Sequence, residues 1–471
     1  MKMNGQFGGR VTGGLILLSA LLVVTLFATR VAWAATRPPI EQPISPAALG
    51  MRLGPLLPDL IGMNGPVTYL ILVQNNDELR ATGGFISAVG TLTLENARIA
   101  ELDFVDSYAF FSRDLAYPPA PPPMQRYMDI PLLLLRDANW SPDLPTTARL
   151  VQALHHRETG LAIDGIITID LRAVELIISA LEPLQIEGAE ETITGATVVE
   201  QIKELYSVPA SLDADIETAG LGAWWKARKE FIPVLAQGAR SRLESGDVDL
   251  FKLITAAQTA LSERAIQVWL AQPAAQAEMA ELGWDGGLHP EPGADFLALV
   301  DTNMGYNKVD AVIERQLDYA VSWPDGADRP AQATVTVTYT HPLSVTDELC
   351  EPTPRYGVSY EDMTMRCYFD YMRIYAPAGS KLVEMTGVEP DSVKTQRGEG
   401  KTQLFAGYFT LQPGEQHVVT VRYTLPPKLA PRNYTLVVQR QSGSGPLPLS
   451  ITVDGASWSG ALVEGRLRWA P

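Results

Sequence analysis

The last third of the chain alternates between apolar and polar residues, and this pattern restricts what that part can form. Residues 333–340 read Ala-Thr-Val-Thr-Val-Thr-Tyr-Thr, a period of two that favours a strand with one buried face. The same alternation of apolar and polar residues recurs at residues 368–375, 416–423, 433–439 and 449–453, with Pro and Gly turns between these segments. Several short strands at such spacing are typical of a two-sheet sandwich. We therefore predict that residues 311–471 form an antiparallel β-sandwich of immunoglobulin-like shape.

The part of the chain before residue 311 has a different sequence pattern, in which predicted strands and predicted helices alternate. Predicted strands lie at residues 69–73, 85–94, 99–105, 164–170 and 295–301, and predicted helices at residues 146–155, 171–181 and 194–206. This order is typical of an α/β layer with a partly parallel sheet. Residues 222–264 are the most helical stretch and predict a helical insertion at about 215–282. We therefore predict an α/β (α+β) domain over residues 67–310.

The N-terminus contains one uncharged apolar run, residues 11–29, with basic residues on both sides. As a helix that rises about 1.5 Å per residue, this run is about 30 Å long and can cross a bilayer. A cleaved secretory signal is the alternative, because residues 32–34 resemble a cleavage site, although signal apolar regions are usually about 7–15 residues long. We predict a cytoplasmic tail (1–10), a single transmembrane helix (11–33) and a stalk (34–66) in a bacterial cell membrane. Both interpretations place the bulk of the chain outside the cytoplasm.

Charge and cysteine content agree with an exported body. The chain has a net charge of −17, and its acidic residues all lie beyond the anchor, since the first forty residues carry only basic charge. An acidic body repels nucleic acid, so nucleic acid is not an expected partner. Cys350 and Cys367 are the only cysteines, and in an exported chain such a close pair is most simply a disulfide. No His lies near them, which argues against a zinc site.

Three polar clusters, at residues 75–85, 136–143 and 303–308, supply most of the candidate ligand-binding residues. Loops at one edge of an α/β sheet can converge, so we predict that the three clusters meet at a ligand. The planar guanidinium of arginine suits phosphate or carboxylate, and paired glycines let a backbone approach a ligand closely. The candidate ligand-binding residues are Asn75, Asn76, Glu78, Arg80, Thr82, Gly83, Gly84, Arg113, Arg136, Asn139, Asn303 and Lys308.

Plainer interpretations of the same residues stay open. The amides and carboxylates of residues 75–85 suit a polar turn that caps its own backbone, and the cations suit ordinary salt bridges. The chain has no Gly-x-Ser-x-Gly elbow, Walker loop, His-Glu-x-x-His or dinucleotide glycine fingerprint, so whether it is an enzyme stays undecided. Asp103 and Asp106 are the weak candidates for acid–base or metal chemistry.

An ordered set of motifs resembles the bacterial domain-of-unknown-function family 4012. The set consists of residues 75–85, Asp164-Gly165 before an apolar strand, residues 283–286 (Gly-Trp-Asp-Gly), residues 303–308 (Asn-Met-Gly-Tyr-Asn-Lys) and residues 423–426 (Tyr-Thr-Leu-Pro). The resemblance covers most of the body. It implies a setting similar to that of envelope polysaccharide machinery, without a defined activity.

A weaker resemblance relates residues 80–105 and 162–186 to the LytR–CpsA–Psr family, which transfers lipid-linked glycopolymers to the cell wall. In that family an Arg followed shortly by Asp, with further arginines, grips a pyrophosphate and its magnesium. Arg80 matches this pattern, whereas Gly83 and Gly84 stand about where the acidic residue is expected. Arg113-Asp114 is a loose match for the later Arg-Asp pair.

These observations predict a membrane-anchored, extracytoplasmic envelope protein that binds a glycopolymer or its lipid-linked polyprenyl-phosphate precursor without a cofactor. One alternative is a LytR–CpsA–Psr-like glycopolymer phosphotransferase, which would use Mg²⁺. Another is a scaffold that binds partner proteins through its sandwich. The glycan and the oligomeric state are left open.

Overall fold

The computed structural model describes residues 46–185, 192–205, 220–324, 329–345, 349–354 and 359–471. The predicted tail, the predicted anchor and the first part of the stalk lie outside these residues. Within the described ranges, the structure contains no helix with both the length and the apolar character needed to cross a bilayer.

The described residues form strands and helices in three mixed sheets. The strands are β1 Val67–Asn75, β2 Phe85–Glu95, β3 Arg98–Asp106, β4 Gly165–Ile169, β5 Ile266–Leu270, β6 Asp295–Val300, β7 Glu314–Ser322, β8 Gln332–Thr340, β9 Tyr368–Pro377, β10 Lys381–Thr386, β11 Lys394–Gly398, β12 Thr402–Leu411, β13 Gln416–Thr424, β14 Leu436–Gln439, β15 Leu447–Val453, β16 Ala456–Leu462 and β17 Arg466–Trp469. The α-helices are α1 Pro46–Leu53, α2 Leu57–Leu60, α3 Pro122–Met128, α4 Leu144–Thr159, α5 Leu171–Leu181, α6 Gly195–Glu204, α7 Gly220–Ser245, α8 Leu250–Ser262, α9 Pro273–Glu281 and α10 Tyr360–Thr364.

The first sheet has the strand order β3-β2-β1-β4-β5. Its central strand β1 pairs antiparallel with β2 and parallel with β4, so the predicted partly parallel α/β layer is confirmed. Both faces of the sheet are covered, as the continuous apolar run in β1 requires. Leu70 and Leu72 pack against α4 on one face, and Tyr69 packs in a cluster with α1 and α9 on the other.

The predicted helical insertion contains α7, α8 and α9, but it also contains β5, which the sequence analysis missed. β5 adds an antiparallel strand to the edge of the sheet beside β4. At the opposite edge, α7 lies along β3, and the side chains of Gln237 and Arg240 donate hydrogen bonds to the carbonyl oxygens of Leu102 and Ile99, each at 3.3 Å. The helix therefore covers an edge strand whose carbonyl groups would otherwise face solvent or another chain.

The C-terminal part is a sandwich of two six-stranded sheets, with orders β10-β13-β8-β7-β15-β16 and β11-β12-β9-β6-β14-β17. Strand β8 buries one face, as its alternating sequence predicted, because Val335, Val337 and Tyr339 point into the core between the sheets. The sheets are mixed, however, since β15 runs parallel to β7 and β14 runs parallel to β6. The prediction of a purely antiparallel, immunoglobulin-like sandwich is therefore corrected.

β6 also corrects the predicted boundary at residue 311. The sequence analysis placed this strand in the α/β domain, but it lies between β9 and β14 inside a sandwich sheet. Every residue of β6 is buried, because its inward side chains face the sandwich core and its outward ones face the α/β domain. A fully buried apolar run does not reveal which sheet it joins, so periodicity alone could not assign β6.

The outer face of this second sheet is the junction between the two domains. Phe369 and Tyr371 of β9 pack there against Met124 and Met128 of α3. Close to this junction, Cys350 and Cys367 form a disulfide with their Cα atoms 5.3 Å apart, which confirms the predicted pairing.

Candidate functional site

The loop between β1 and β2, which carries the first polar cluster, lies in the interior at the domain junction. Arg80 is only 2% exposed. The loop backbone is held from the sandwich side: the amide of Leu79 donates to Asp310 Oδ2 at 3.0 Å, and the Leu79 carbonyl accepts from the amide of Asn303 at 3.0 Å. The Arg80 carbonyl accepts from the side chain of Gln441, also at 3.0 Å. The loop therefore joins the two domains instead of projecting into solvent.

Glu78 is the centre of a buried charge cluster in this loop. Its Oε2 accepts a hydrogen bond from Lys308 Nζ at 2.7 Å, and its Oε1 accepts from Arg80 Nη2 at 2.9 Å. Burial acts to raise the pKa of the Glu78 carboxyl, but the neighbouring cations of Lys308 and Arg80 outweigh it and lower the pKa below its usual value. Glu78 is therefore ionised and neutralised by two cations from different parts of the chain.

Arg80 directs its guanidinium into protein contacts. Besides Glu78, its Nη1 donates to the carbonyl oxygen of Asn303 at 2.5 Å, and its Nε has no hydrogen-bond partner among the described residues. The arginine predicted to grip a phosphate thus holds the third polar cluster to the first. It is not among the residues that line the neighbouring cavity.

The two asparagines of this cluster also make structural contacts. Asn75 Oδ1 accepts from the amide of Asp77 at 3.0 Å and closes the turn. Asn76 Oδ1 accepts from the amide of Leu171 at 3.2 Å, at the start of α5. Both amides therefore satisfy backbone donors, as the plainer interpretation predicted for such side chains.

The second polar cluster packs against the first. The residues at this contact are Thr82, Gly83, Gly84 and Asn139. Asn139 Nδ2 donates to Thr82 Oγ1 at 3.2 Å and to the Gly84 carbonyl at 2.8 Å. Gly83 has a φ of 139°, and a Cβ atom on Gly84 would lie 2.3 Å from the backbone of Asn75. The glycines therefore allow close packing of the protein backbone, where the sequence analysis predicted approach to a ligand.

The other candidate residues lie in different settings. Asn303 is buried and donates to Asn307 Oδ1 at 2.9 Å and Asp310 Oδ2 at 2.8 Å. Arg113 is exposed and does not line the cavity. Asp103 is exposed too, and Asp106 lies three positions further along β3, which puts the two on opposite faces of the strand. Among the described residues there is no group of three or more His, Cys, Asp or Glu placed to hold a metal ion.

A cavity of about 480 Å³ opens beside the buried charge cluster. Three of the predicted residues line it, namely Glu78, Arg136 and Lys308. The rest of its lining is mostly apolar or aromatic and includes Phe85, Ala88, Phe104, Val105, Tyr108, Ile130, Pro131, Leu132, Leu134, Ile232, Pro233, Tyr306 and Met363. The cavity is thus an apolar chamber with charged groups on one side.

Asp137 lines this cavity and was missed by the sequence analysis. It sits on the 3₁₀ turn Leu135–Asp137 and is only 4% exposed. Burial raises the pKa of its carboxyl, although Arg80 and Arg136 act in the opposite direction. The sequence feature that could have identified Asp137 as a site residue was its position beside Arg136 in the second polar cluster. Its burial, which makes it chemically distinct, was not readable from the sequence.

Arg136 and Tyr306 complete the polar side of the cavity. The guanidinium carbon of Arg136 lies 4.4 Å from the ring centroid of Tyr108, and its Nε lies 3.6 Å from Asp137 Oδ2. Tyr306 donates its hydroxyl hydrogen to the carbonyl oxygen of Met128 at 2.7 Å. This arrangement can enclose a molecule with apolar surface and hydrogen-bond it at one end.

The fold and cavity define a two-domain protein, an α/β layer joined to a mixed β-sandwich, with an enclosed amphipathic site near the junction. Residues 64–206 match the model of DUF4012, a protein of unknown function. The resemblance predicted from the ordered motifs is confirmed there.

Several solved structures show a slight likeness. Protein gbs0355 from Streptococcus agalactiae is 12% identical, with 48% of this chain and 75% of that chain covered and a TM-score of 0.23. Lin1025 protein from Listeria innocua is 11% identical, with 49% and 85% covered and a TM-score of 0.22. The transcriptional regulator yvhJ from Bacillus subtilis is 11% identical, with 42% and 97% covered and a TM-score of 0.20. At these TM-scores the likenesses carry no argument about fold or function.

A search of the curated proteins gave no match. The resemblance to the LytR–CpsA–Psr family therefore stays a prediction.

Proposed function

We propose that this chain is a binding protein for an envelope glycopolymer or its lipid-linked precursor, and that the cavity beside Glu78 and Lys308 is the ligand site. The observation that supports this most is the composition of the cavity, with apolar and aromatic walls around a few charged groups. Its volume of about 480 Å³ lies within the range of about 300–1,000 Å³ that is typical of small-molecule sites.

The route of binding differs from the one that the sequence analysis predicted. Arg80 is occupied by Glu78 and by the Asn303 carbonyl, so it contributes to the site by holding the loop in place. Ligand contacts come instead from residues that line the cavity, above all Arg136, Asp137 and the aromatic walls.

The rim of the cavity supports a ligand with apolar surface. Val105, Tyr108 and Leu132 line the cavity and are 39%, 55% and 41% exposed. Large apolar side chains that stay exposed next to an opening mark a contact surface. Isoprenoid chains and the faces of sugar rings both offer apolar surface to such a rim.

We also propose that the body lies outside the cytoplasmic membrane, anchored by residues 11–33. The apolar run near the N-terminus supports this, and so does the disulfide, because disulfides persist mainly in oxidising compartments. A phosphatase reporter fused after Pro471 should be active, and a fluorescent protein that matures only in the cytoplasm should stay dark. The reverse pattern would refute this location.

Binding can be tested on the full chain in nanodiscs, with undecaprenyl phosphate and envelope oligosaccharides as probes and with or without magnesium. We expect saturable binding without turnover. Val105→Trp, which narrows the cavity, should weaken binding at least tenfold. Val418→Trp is the matched control, since Val418 is 45% exposed on strand β13 and does not line the cavity.

Two results would contradict the proposal. Magnesium-dependent transfer of a glycan would make the chain a phosphotransferase. Failure of every probe to bind the wild-type chain would leave a scaffold that acts through protein partners.

A further inference from the structure

We propose that the part of the ligand that enters the cavity is an uncharged, hydroxyl-bearing saccharide, and that Asp137 recognises it through hydrogen bonds. This inference rests on the proposed function and deepens it by naming the ligand group. It differs from the sequence-based expectation, in which an arginine grips a phosphate.

The charges around the cavity disfavour an anion. The described lining residues include four carboxyl groups, on Glu78, Asp106, Asp129 and Asp137, but only the two cations of Arg136 and Lys308. Lys308 is bound to Glu78 at 2.7 Å. With Arg80, which also pairs with Glu78, a phosphate placed there would meet three cations and up to four carboxylates, so the site offers it no excess of positive charge.

Arg136 does not make the cavity favourable for an anion. Its guanidinium lies over the ring of Tyr108 at 4.4 Å, and its Nε is 3.6 Å from Asp137 Oδ2. A single arginine that already faces a carboxylate and an aromatic ring does not form the multi-arginine clamp that a pyrophosphate requires.

The carboxyl group of Asp137 accepts no hydrogen bond from the other described residues. Its side chain is buried, and among the described residues no donor lies within hydrogen-bond distance of its carboxyl oxygens, since the Arg136 contact is longer than a hydrogen bond. Glu78, by contrast, has a donor on each oxygen. A buried carboxyl group that accepts no hydrogen bonds costs free energy even beside a cation such as Arg136, so the site favours a ligand that supplies them.

A hydroxyl suits Asp137 in either protonation state. An ionised carboxylate accepts a hydrogen bond from a hydroxyl, and a protonated carboxyl donates one to it. Burial raises the pKa of Asp137, which makes the neutral form more accessible than in an exposed aspartate. The aromatic side chains of Phe85, Phe104 and Tyr306 line the same cavity and can pack on the apolar face of a sugar ring.

The test compares neutral and charged forms of the same sugars on the full chain in nanodiscs. The probes are disaccharides of glucose, galactose, mannose and N-acetylglucosamine, each as the free sugar and as its 1-phosphate, followed by calorimetry. At least one neutral disaccharide should bind, and its 1-phosphate should bind at least fivefold more weakly.

Variants of Asp137 separate recognition from folding. Asp137→Leu should weaken binding of the neutral sugar at least tenfold, whereas Asp137→Asn, which keeps an oxygen acceptor, should stay within about threefold. Asp103→Asn is the charge control, because Asp103 is exposed and does not line the cavity, so this variant should bind the neutral sugar as the wild type does. Cooperative unfolding of each variant shows that the fold is kept.

Each outcome has a defined meaning. Tighter binding of the 1-phosphate, or wild-type affinity in Asp137→Leu, would overturn the saccharide assignment and leave the binding function intact. Binding of undecaprenyl phosphate alone would likewise overturn it. If none of these probes binds the wild-type chain, the proposed function itself fails, and this inference fails with it.

Discussion

Lys308 Nζ donates a hydrogen bond to Glu78 Oε2 at 2.7 Å and so joins two segments that are 230 residues apart in the chain. Glu78 lies in the β1–β2 loop of the first sheet, and Lys308 lies between the sandwich strands β6 and β7. Arg80 holds the other oxygen of the same carboxylate at 2.9 Å. The charged residues that look most like a ligand site in the sequence thus tie the two domains together.

Lys308→Met should destabilise the protein by about 3 kcal/mol. Removing one partner of a buried ion pair typically costs about 3–5 kcal/mol, and here Arg80 stays beside Glu78. Urea unfolding measures this change. Arg422→Met is the control, because the Arg422–Glu384 pair is solvent-exposed and such pairs contribute less than about 1 kcal/mol. Equal effects of the two substitutions would contradict the structural role of Lys308.

Gly84→Ala should destabilise the fold by about 1–3 kcal/mol, the usual range for overpacking. The added Cβ would lie 2.3 Å from backbone atoms of Asn75, which cannot move aside as a flexible side chain can. Gly445→Ala is the matched control, because a Cβ there meets no atom within 4 Å. Thermal and urea unfolding of the two variants should differ clearly, and unchanged stability of Gly84→Ala would show that the loop packs differently.

Asp170 should make stability decrease as the pH rises towards neutrality. It caps α5 by accepting from the amide of Ala173 at 2.9 Å, and burial raises its pKa from 3.8 to about 7. The folded state therefore keeps a proton that the unfolded chain releases, so the unfolding free energy falls between about pH 4 and pH 7. The slope contributed by this one group is at most about 1.4 kcal/mol per pH unit.

Asp170→Asn should remove this slope and keep the cap, since asparagine also caps helices well. The variant should be more stable than the wild type at pH 8 and similar to it at pH 4.5, as measured by urea unfolding across this range. Asp249→Asn, at the exposed N-cap of α8, serves as the control. A wild-type pH slope that persists in Asp170→Asn would contradict the assignment.

The disulfide between Cys350 and Cys367 should stabilise the protein by about 3 kcal/mol, because it closes a loop with a sequence separation of 17 residues. The double variant Cys350→Ala/Cys367→Ala should lose this amount in chemical denaturation. Reductant should lower the stability of the wild type and leave the double variant unchanged. If reductant had no effect on the wild type, the disulfide would not contribute to stability.

Local sequence patterns predicted much of the fold. The alternation at β8 and the apolar run at β1 are consequences of which faces those strands bury, so the strands could be found without tertiary information. β6 shows the limit, because its apolar run is compatible with either sheet. β5 was missed, since it is a short strand enclosed by helices in the chain.

The candidate site was predicted in part. The three polar clusters do meet, as the contacts from Lys308 to Glu78 and from Asn139 to Gly84 show. Their burial could not be predicted, because it depends on a sandwich that is assembled from residues far along the chain. Asp137 was missed for the same reason, since only the surrounding structure makes its carboxyl a buried group without hydrogen bonds.

The sequence by itself determined the elements whose cause is local: strands with one polar face, capped helices and a cysteine pair close enough to bond. The tertiary structure alone decided which sheet β6 joins and which charged side chains are enclosed. It also decided that Arg80 contacts protein while Asp137 faces a cavity. The physical reason is that strand pairing, the desolvation of charged side chains and the free volume of a cavity depend on neighbours hundreds of residues away in the chain. Local sequence patterns do not specify these neighbours.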